Sequence, residues 1–129
     1  MMVRGPFSIR VACVTFILAV MTTGAVAQAP QPLEDTMKRM LAAAQANALD
    51  EFVAQADPLA KIAMTKQMQE INQELGPRIQ QGYVATYWGR LNQGGYEVHV
   101  WKLEFRDGKD DYLVTVAAKD RKVVGMWVH

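Results

Sequence analysis

The run Tyr96-Glu-Val-His-Val-Trp-Lys-Leu-Glu-Phe105 is the longest strand-like stretch of this 129-residue chain. Its Val, Tyr, Trp and Phe side chains suit a pleated, half-buried surface, and apolar and polar residues alternate through most of it. Two similar runs follow at residues 112–118 and 123–128, and a weaker one precedes at residues 83–91. Turn-forming residues separate all four runs, which predicts a four-stranded antiparallel meander.

Two helices are predicted ahead of the strands. Residues 33–52 place apolar side chains on one face, with Glu34 and Lys38 one turn apart in the favourable order. A second helix is expected to begin at the capping pair Asp57-Pro58 and to end at Gly76-Pro77. Methionines recur along both helices and are interpreted as core filler. The predicted fold is α+β, with two N-terminal helices packed on a curved four-stranded antiparallel meander sheet, as one domain over residues 33–129.

The turns suggest a register for the sheet. If Phe105 pairs with Tyr112, then Trp101 lies opposite Val116, and a matching register for the last two strands places Gly125 beside Trp101. A bulge is expected at Val100, where two apolar residues are adjacent. The inner face would then carry the large aromatic residues. The uncovered face would carry an apolar cluster that we expect to form a homodimer interface: Leu113, Val124, Met126 and Val128.

The first 27 residues have the pattern of a signal peptide. Arg4 and Arg10 precede an apolar run that is about half as long as a membrane-spanning helix, and small residues follow it. Cleavage is predicted between Ala27 and Gln28, with the bond after Ala29 as the second choice. It would leave a loose leader at residues 28–32 and an exported protein, either periplasmic in a bacterium or secreted.

The composition of the exported chain limits the classes of partner that it is expected to bind. Without Arg4 and Arg10 it keeps 12 basic and 13 acidic residues, a formal net charge of −1. This balance argues against a nucleic-acid partner, which would need a clustered basic surface. The only cysteine, Cys13, lies in the signal segment, so no disulfide is expected. No membrane span is expected once the signal is removed.

Two helices followed by a bent meander resemble the nuclear-transport-factor-2-like, or cystatin-like, superfamily. The resemblance is carried by Trp101-Lys-Leu-Glu-Phe-Arg-Asp-Gly108 and by the closing strand Lys122-Val-Val-Gly-Met-Trp-Val128. The superfamily includes ketosteroid isomerase, SnoaL-like polyketide cyclases, transport adaptors and small exported domains of unknown function. It implies sheet-to-sheet dimers. This chain is shorter than the family's enzymes, and its inward positions are apolar.

The candidate site is a hydrophobic pocket at the open end of the sheet, and filling of the core is the alternative role for the same side chains. Its predicted lining is Tyr87, Trp101, Phe105, Tyr112 and Trp127. Neither a metal nor a cofactor is predicted. His99 and His129 are the only histidines, and the inferred register puts them about 20 Å apart.

The function predicted from these residues is a non-catalytic exported domain that binds a small apolar ligand or a protein partner. The alternative is an isomerase- or cyclase-like enzyme acting on a small apolar substrate. Such an enzyme would need a buried carboxylate near a tyrosine or a second acid. The acids here lie at helix ends, as Asp50 and Asp57 do, or on strands, as Glu97 and Glu104 do.

Overall fold

The computed structural model describes residues 28–129. Helix α1 spans Gln31–Gln45, the single-turn helix α2 spans Leu49–Phe52, and a 3₁₀ turn at Pro58–Ala60 leads into helix α3, Lys61–Gln81. Strands β1 (Tyr83–Gln93), β2 (Tyr96–Phe105), β3 (Tyr112–Lys119) and β4 (Lys122–Val128) form one antiparallel sheet in sequential order. The α+β class and the meander are therefore confirmed. The predicted signal peptide and its cleavage site at Ala27 lie outside the described residues.

The first predicted helix is wrong in its length, because a helix-ending motif divides it. Asn47 adopts a left-handed φ of 57°. The amide of Ala48 donates to the carbonyl of Ala43, and the amide of Asn47 donates to that of Ala44. These two bonds define a Schellman motif, in which asparagine is a common left-handed residue. The side-chain amide of Asn72, on α3, also donates to the Ala44 carbonyl at 2.8 Å.

The second predicted helix begins as expected and ends later. The carboxylate of Asp57 accepts a hydrogen bond from the amide of Leu59 at 2.9 Å. The helix continues through Gly76 and Pro77 to Gln81 and ends at Gly82, whose φ is 116°. Proline inside a helix removes one hydrogen bond. Tertiary contacts offset this loss, because Ile79 is buried in the core and Arg78 binds Asp107.

One face of the sheet packs on the helices and forms the core; we call this the inner face. Trp101, Leu103 and Val114 are fully buried there. The interpretation of the methionines as core filler is confirmed, since helix methionines and one strand methionine are buried: Met37, Met40, Met64, Met68 and Met126. The opposite side of the sheet is covered by none of the described elements, and we call it the outer face.

The predicted β2–β3 register is wrong by two residues, and this leaves every side chain on its predicted face. Leu103, rather than Phe105, pairs with Tyr112, and Trp101 pairs with Val114. Side chains alternate with a period of two, so an even shift preserves the face. The Arg106 amide bonds instead to the Gly82 carbonyl, which holds the end of β2 beside the end of α3.

A bulge in β4 reverses the predicted faces of its last residues. Ala118 pairs with Val123 as predicted, but Ala117 pairs with Gly125, so Val124 is an extra residue. Val123 is held from outside the sheet, because its amide and carbonyl bond to Gln55 and Asp57.

The bulge corrects four placements. Met126 is fully buried and Val128 packs against the core, so neither lies on the outer face. Trp127 lies on the outer face, 40% exposed, and shares no face with Trp101. Gly125 lies beneath Trp127 and not beside Trp101. Leu113 is on the outer face as predicted.

The bulge expected at Val100 is in the neighbouring strand. Burial alternates without interruption through β2, whereas β1 carries an extra residue, Trp88, between Tyr87 and Gly89. Across a regular two-residue turn at Gly94-Gly95, Tyr87 would pair with Lys102 and point outward. The bulge pairs Tyr87 with Trp101 and turns it toward the core.

Candidate ligand pocket

The five predicted pocket residues do not line one cavity. Trp101 and Phe105 are buried in the core among helix side chains. Tyr112 is half-buried at the rim, and its hydroxyl donates to Glu74 at 3.0 Å, which raises the pKa of the tyrosine. Tyr87 contacts Trp101, with ring centroids 5.4 Å apart, and Trp127 is on the other face. The space predicted for the pocket, on the inner face of the sheet, is therefore filled by packed side chains.

A cavity of about 460 Å³ opens instead at the end of the sheet where the β3–β4 turn approaches the start of α1. This volume is within the usual range of small-molecule sites. We call it the His99 pocket. Its lining comes from α1 and the residues before it (Pro30, Pro32, Leu33, Thr36), from the loop at Gln55, from β2 (Glu97, His99), and from β3, the turn and β4 (Ala118, Lys119, Asp120, Arg121, Val123).

Two buried polar residues line this pocket, and His99 is the more deeply buried, with 1% of its surface exposed against 9% for Thr36. Its Nδ1 lies 2.9 Å from the Tyr87 hydroxyl, and its Nε2 lies 3.3 Å from Oε1 of Glu97. A carboxylate only accepts hydrogen bonds, so the network assigns the proton of the neutral ring to Nε2. Nδ1 then accepts from the tyrosine hydroxyl. Both ring nitrogens are thereby satisfied, which lowers the cost of burying them.

The two partners of His99 are held differently. Glu97 is 56% exposed at its side chain and also lies 4.0 Å from Arg90. Burial raises the pKa of the Tyr87 hydroxyl above its ordinary value, and Arg90 acts in the opposite direction. Tyr87 therefore remains protonated at neutral pH and stays a donor to His99. Trp101, beside both rings, donates its indole N–H to Glu34 at 3.1 Å. Glu34 also pairs with Lys38 at 3.5 Å, as its spacing predicted.

The turn above the pocket has an unusual backbone. Asp120 and Arg121 join paired residues Lys119 and Lys122, and their φ angles are 51° and 67°. A two-residue hairpin with both central φ angles positive is most often built from asparagine and glycine. Arginine is disfavoured in this region, because its Cβ approaches the backbone. Asp120 and Arg121 therefore occupy turn positions at which asparagine or glycine would have less backbone strain.

A second, shallower depression lies on the outer face. Its volume is about 520 Å³, and it is formed mainly by apolar side chains of all four strands, among them Leu91, Val98, Val100, Ala117 and Trp127. His129 is also at its edge, within 3.4 Å of the Thr115 hydroxyl. This surface is broad and open, which suits a macromolecular partner better than a small molecule.

The structure places the two histidines on opposite faces of the sheet. Within residues 28–129, no group of three or more His, Cys, Asp or Glu side chains is placed to hold a metal ion. None of the helices in that range combines the length and apolarity that crossing a membrane requires.

Sequence reasoning did not identify His99 as a site residue. The spacing of Glu97 and His99 was a usable signal, because residues two apart on a strand share a face. The position of Tyr87 had no such signal, since the Trp88 bulge decides it. The approach of α1 to the β3–β4 turn is also a long-range contact that no local pattern indicates.

Comparison with known proteins adds little to these observations. No protein-family profile matches the chain, and no curated protein sequence matches it significantly. Among solved structures, it is similar to an uncharacterized cystatin-fold protein from Novosphingobium aromaticivorans. The two share 16% identity over 74% of this chain and 95% of the other, with a TM-score of 0.39.

Proposed function

We propose that this protein is a non-catalytic small-ligand-binding domain of the nuclear-transport-factor-2-like, or cystatin-like, type. The observation that carries the proposal is the His99 pocket. It combines a volume suited to a small molecule, apolar walls at Pro30, Leu33 and Val123, and a buried polar group at His99. Binding sites of this kind are mostly apolar, with few polar groups that orient the ligand.

The alternative is an isomerase- or cyclase-like enzyme, and the feature that raises it is the chain of contacts from Tyr87 through His99 to Glu97. A general base needs a free lone pair within reach of the substrate. In the neutral ring the Nδ1 lone pair is taken by Tyr87, and the Nε2 proton is directed at Glu97. Glu97 is mostly exposed, whereas such an enzyme needs a buried carboxylate. These contacts support binding over catalysis.

Blocking the pocket tests the proposed function. Ala118 lines the pocket and is half-buried, so Ala118→Phe fills part of it. Thr86→Phe adds the same ring at an exposed position on the outer face and is the control. Octanoate, 1-octanol and octylammonium share one apolar tail and serve as probes in saturation-transfer NMR. We expect at least one probe to bind wild type and Thr86→Phe, and to lose binding to Ala118→Phe. The proposal is wrong if none of the three binds wild type, or if Ala118→Phe binds them as well as the control does.

We further propose that the protein acts after export. The support is the signal-like pattern of residues 1–27, and the cleavage expected between Ala27 and Gln28 leaves the start of α1 at Gln31 intact. Native mass spectrometry of protein taken from the periplasm or the medium reports the mass of the chain, a co-purifying ligand and the oligomeric state together. A mass that includes residues 1–27 would contradict the proposed processing.

An interaction function is a second candidate, favoured by the outer face. Large apolar side chains are exposed there and along β1, notably Val84, Trp88, Leu91, Tyr96 and Trp127. The partner we propose is a second copy of the chain, in a two-fold dimer, which is the arrangement that the superfamily resemblance implies.

A further inference from the structure

We propose that the ligand of the His99 pocket is a small organic carboxylate whose apolar body lies in the pocket and whose anionic group binds Arg121. This inference rests on the proposed binding function and specifies the chemistry of its ligand. Its support comes from the charged and apolar residues that line the pocket and from the position of the N-terminal end of α1.

Four charged side chains line the pocket: Glu97, Lys119, Asp120 and Arg121. Glu97 is engaged by His99 and by Arg90. In the described part of the chain, Lys119, Asp120 and Arg121 take part in no ion pair. The four formal charges sum to zero, and Arg90 compensates Glu97 from outside the lining. Lys119 is directed to the Tyr96 ring, with Nζ 5.6 Å from its centre, so Arg121 is the lining cation that remains to bind an anion.

The start of α1 contributes a positive potential at the pocket. Pro30, Pro32 and Leu33 line the pocket, and they belong to the N-terminal end of a 15-residue helix. The N-terminal end of a helix carries a partial positive charge, which favours a bound anion. Glu34, the acidic residue of the first turn, is directed to Trp101 and Lys38 and does not line the pocket. Glu34 therefore does not place its charge in the pocket.

Much of the remaining lining is apolar. It consists of Pro30, Pro32, Leu33, Ala118 and Val123, beside the polar Gln55 and Thr36, whose hydroxyl is bonded to the Pro32 carbonyl. His99 presents a ring whose nitrogens are both bonded within the protein. A ligand with an apolar body can occupy this space without leaving polar groups unpaired. A guanidinium suits its anionic end, because its fork of N–H donors matches the two oxygens of a carboxylate.

The backbone of the turn provides a variant that separates binding from folding. Arg121 has a φ of 67°, a conformation that glycine adopts without strain. Arg121→Gly therefore removes the cation while favouring the turn geometry, and a loss of binding in this variant is not a loss of the fold. Lys109→Gln removes one positive charge from the exposed turn between β2 and β3, at the other end of the sheet, and is the matched control.

The test uses the protein of residues 28–129 and measures the binding of octanoate, 1-octanol and octylammonium by isothermal titration calorimetry. We expect octanoate to bind wild type about tenfold more tightly than 1-octanol, the effect of one charge-assisted contact, and octylammonium to bind more weakly still. Arg121→Gly should lose about this factor for octanoate and keep its affinity for 1-octanol, whereas Lys109→Gln should match wild type.

Each other outcome contradicts the inference in a recognisable way. If the three probes bind equally and Ala118→Phe abolishes binding, the pocket binds ligands but does not select an anion. Tighter binding of octylammonium, or an equal loss of octanoate and 1-octanol in Arg121→Gly, would likewise exclude a carboxylate held by Arg121. If no probe binds wild type, the proposed function fails together with the inference.

Discussion

At the scale of single residues, Gly125 shows how a position can be important for a different reason from the one inferred. Its Cα lies directly beneath the indole of Trp127 on the outer face. A Cβ added there would lie 2.8 Å from Cζ2 and Cζ3 of the ring, and nearer still to Cη2. Non-bonded carbons separated by so little repel each other strongly. The absence of a side chain at position 125 therefore allows Trp127 to lie flat on the sheet.

We expect Gly125→Val to lower the free energy of unfolding by about 1 kcal/mol, because it displaces an indole that is partly buried. The ring is 40% exposed and can swing outward, which limits the cost. Chemical denaturation of a double-mutant cycle with Trp127→Ala measures the coupling.

In the Trp127→Ala background, Gly125→Val should cost nothing, since valine favours a strand and glycine does not. Lys119→Ala, in the adjacent turn, is the control and should leave stability within about 0.5 kcal/mol of wild type. Equal destabilisation by Gly125→Val in both backgrounds would show that Trp127 is not the neighbour that matters.

At the scale of secondary-structure elements, Arg78 joins the end of α3 to the turn between β2 and β3. Its Nε and Nη2 bond to the two carboxylate oxygens of Asp107 at 2.7 and 3.1 Å, and Nη2 also donates to the Asp110 carbonyl. The guanidinium lies 4.2 Å from the centre of the Phe105 ring. These contacts stabilise the part of α3 that follows Pro77, and they hold the β2–β3 turn against the end of the helix.

The Arg78–Asp107 pair predicts a specific dependence of stability on pH. Hydrogen bonds from Arg78 hold the pKa of Asp107 below its ordinary value, with a further bond from the Lys109 amide. Because the folded-state pKa is the lower one, this stabilisation is present above the unfolded-state pKa and is lost as the pH falls through the folded-state pKa. Wild type should therefore lose more stability than Asp107→Asn between about pH 7 and about pH 3.

The measurement is urea unfolding at the two pH values, with an NMR titration of the Asp107 carboxyl. Arg78→Met should raise the pKa of Asp107 toward its ordinary value. Arg106→Met is the control, because it removes a neighbouring arginine that makes no ion pair within residues 28–129. It should leave the pKa of Asp107 unchanged. A pKa that is unchanged in Arg78→Met would refute the assignment.

At the scale of the whole molecule, the helices cover one face of the sheet and leave the outer face open. The exposed apolar residues of that face differ from those predicted, because the β4 bulge places Trp127 outside and Met126 inside. A homodimer through this face remains a prediction, and the structure changes its expected interface residues to Leu91, Leu113 and Trp127. Val124 occupies the bulge itself.

We expect wild type to sediment as a dimer on the order of tens of micromolar, where an interface of standard size holds. Trp127→Lys should shift it to monomer with the fold retained, because it places a charge in the centre of the face. Ile62→Lys changes an equally apolar residue that is 89% exposed on α3, and it should leave the dimer intact. Met126→Lys, by contrast, should unfold the protein, since it buries a charge in the core. A monomeric wild type at that concentration in analytical ultracentrifugation would exclude the dimer.

Local sequence patterns were sufficient for the α+β class, the four strands and their order, the capped 3₁₀ turn at Asp57 that leads into α3, and the interpretation of the methionines. Each of these depends on neighbours along the chain: the alternation of side chains in a strand, the spacing of a helix face, or a turn dipeptide. Even the wrong β2–β3 register preserved the faces, because its error was two residues.

Tertiary structure alone decided the rest, and the two bulges show the physical reason. An insertion of one residue reverses every side chain beyond it, and its position is set by contacts with distant parts of the chain. Backbone hydrogen bonds to Gln55 and Asp57 hold Val123 next to the bulge in β4. The bulge places Met126 in the core and Trp127 on the outer face. The extra residue Trp88 turned Tyr87 toward His99. The His99 pocket exists because α1, β2 and the β3–β4 turn meet at one end of the sheet, a meeting of elements far apart in the chain that no local pattern encodes.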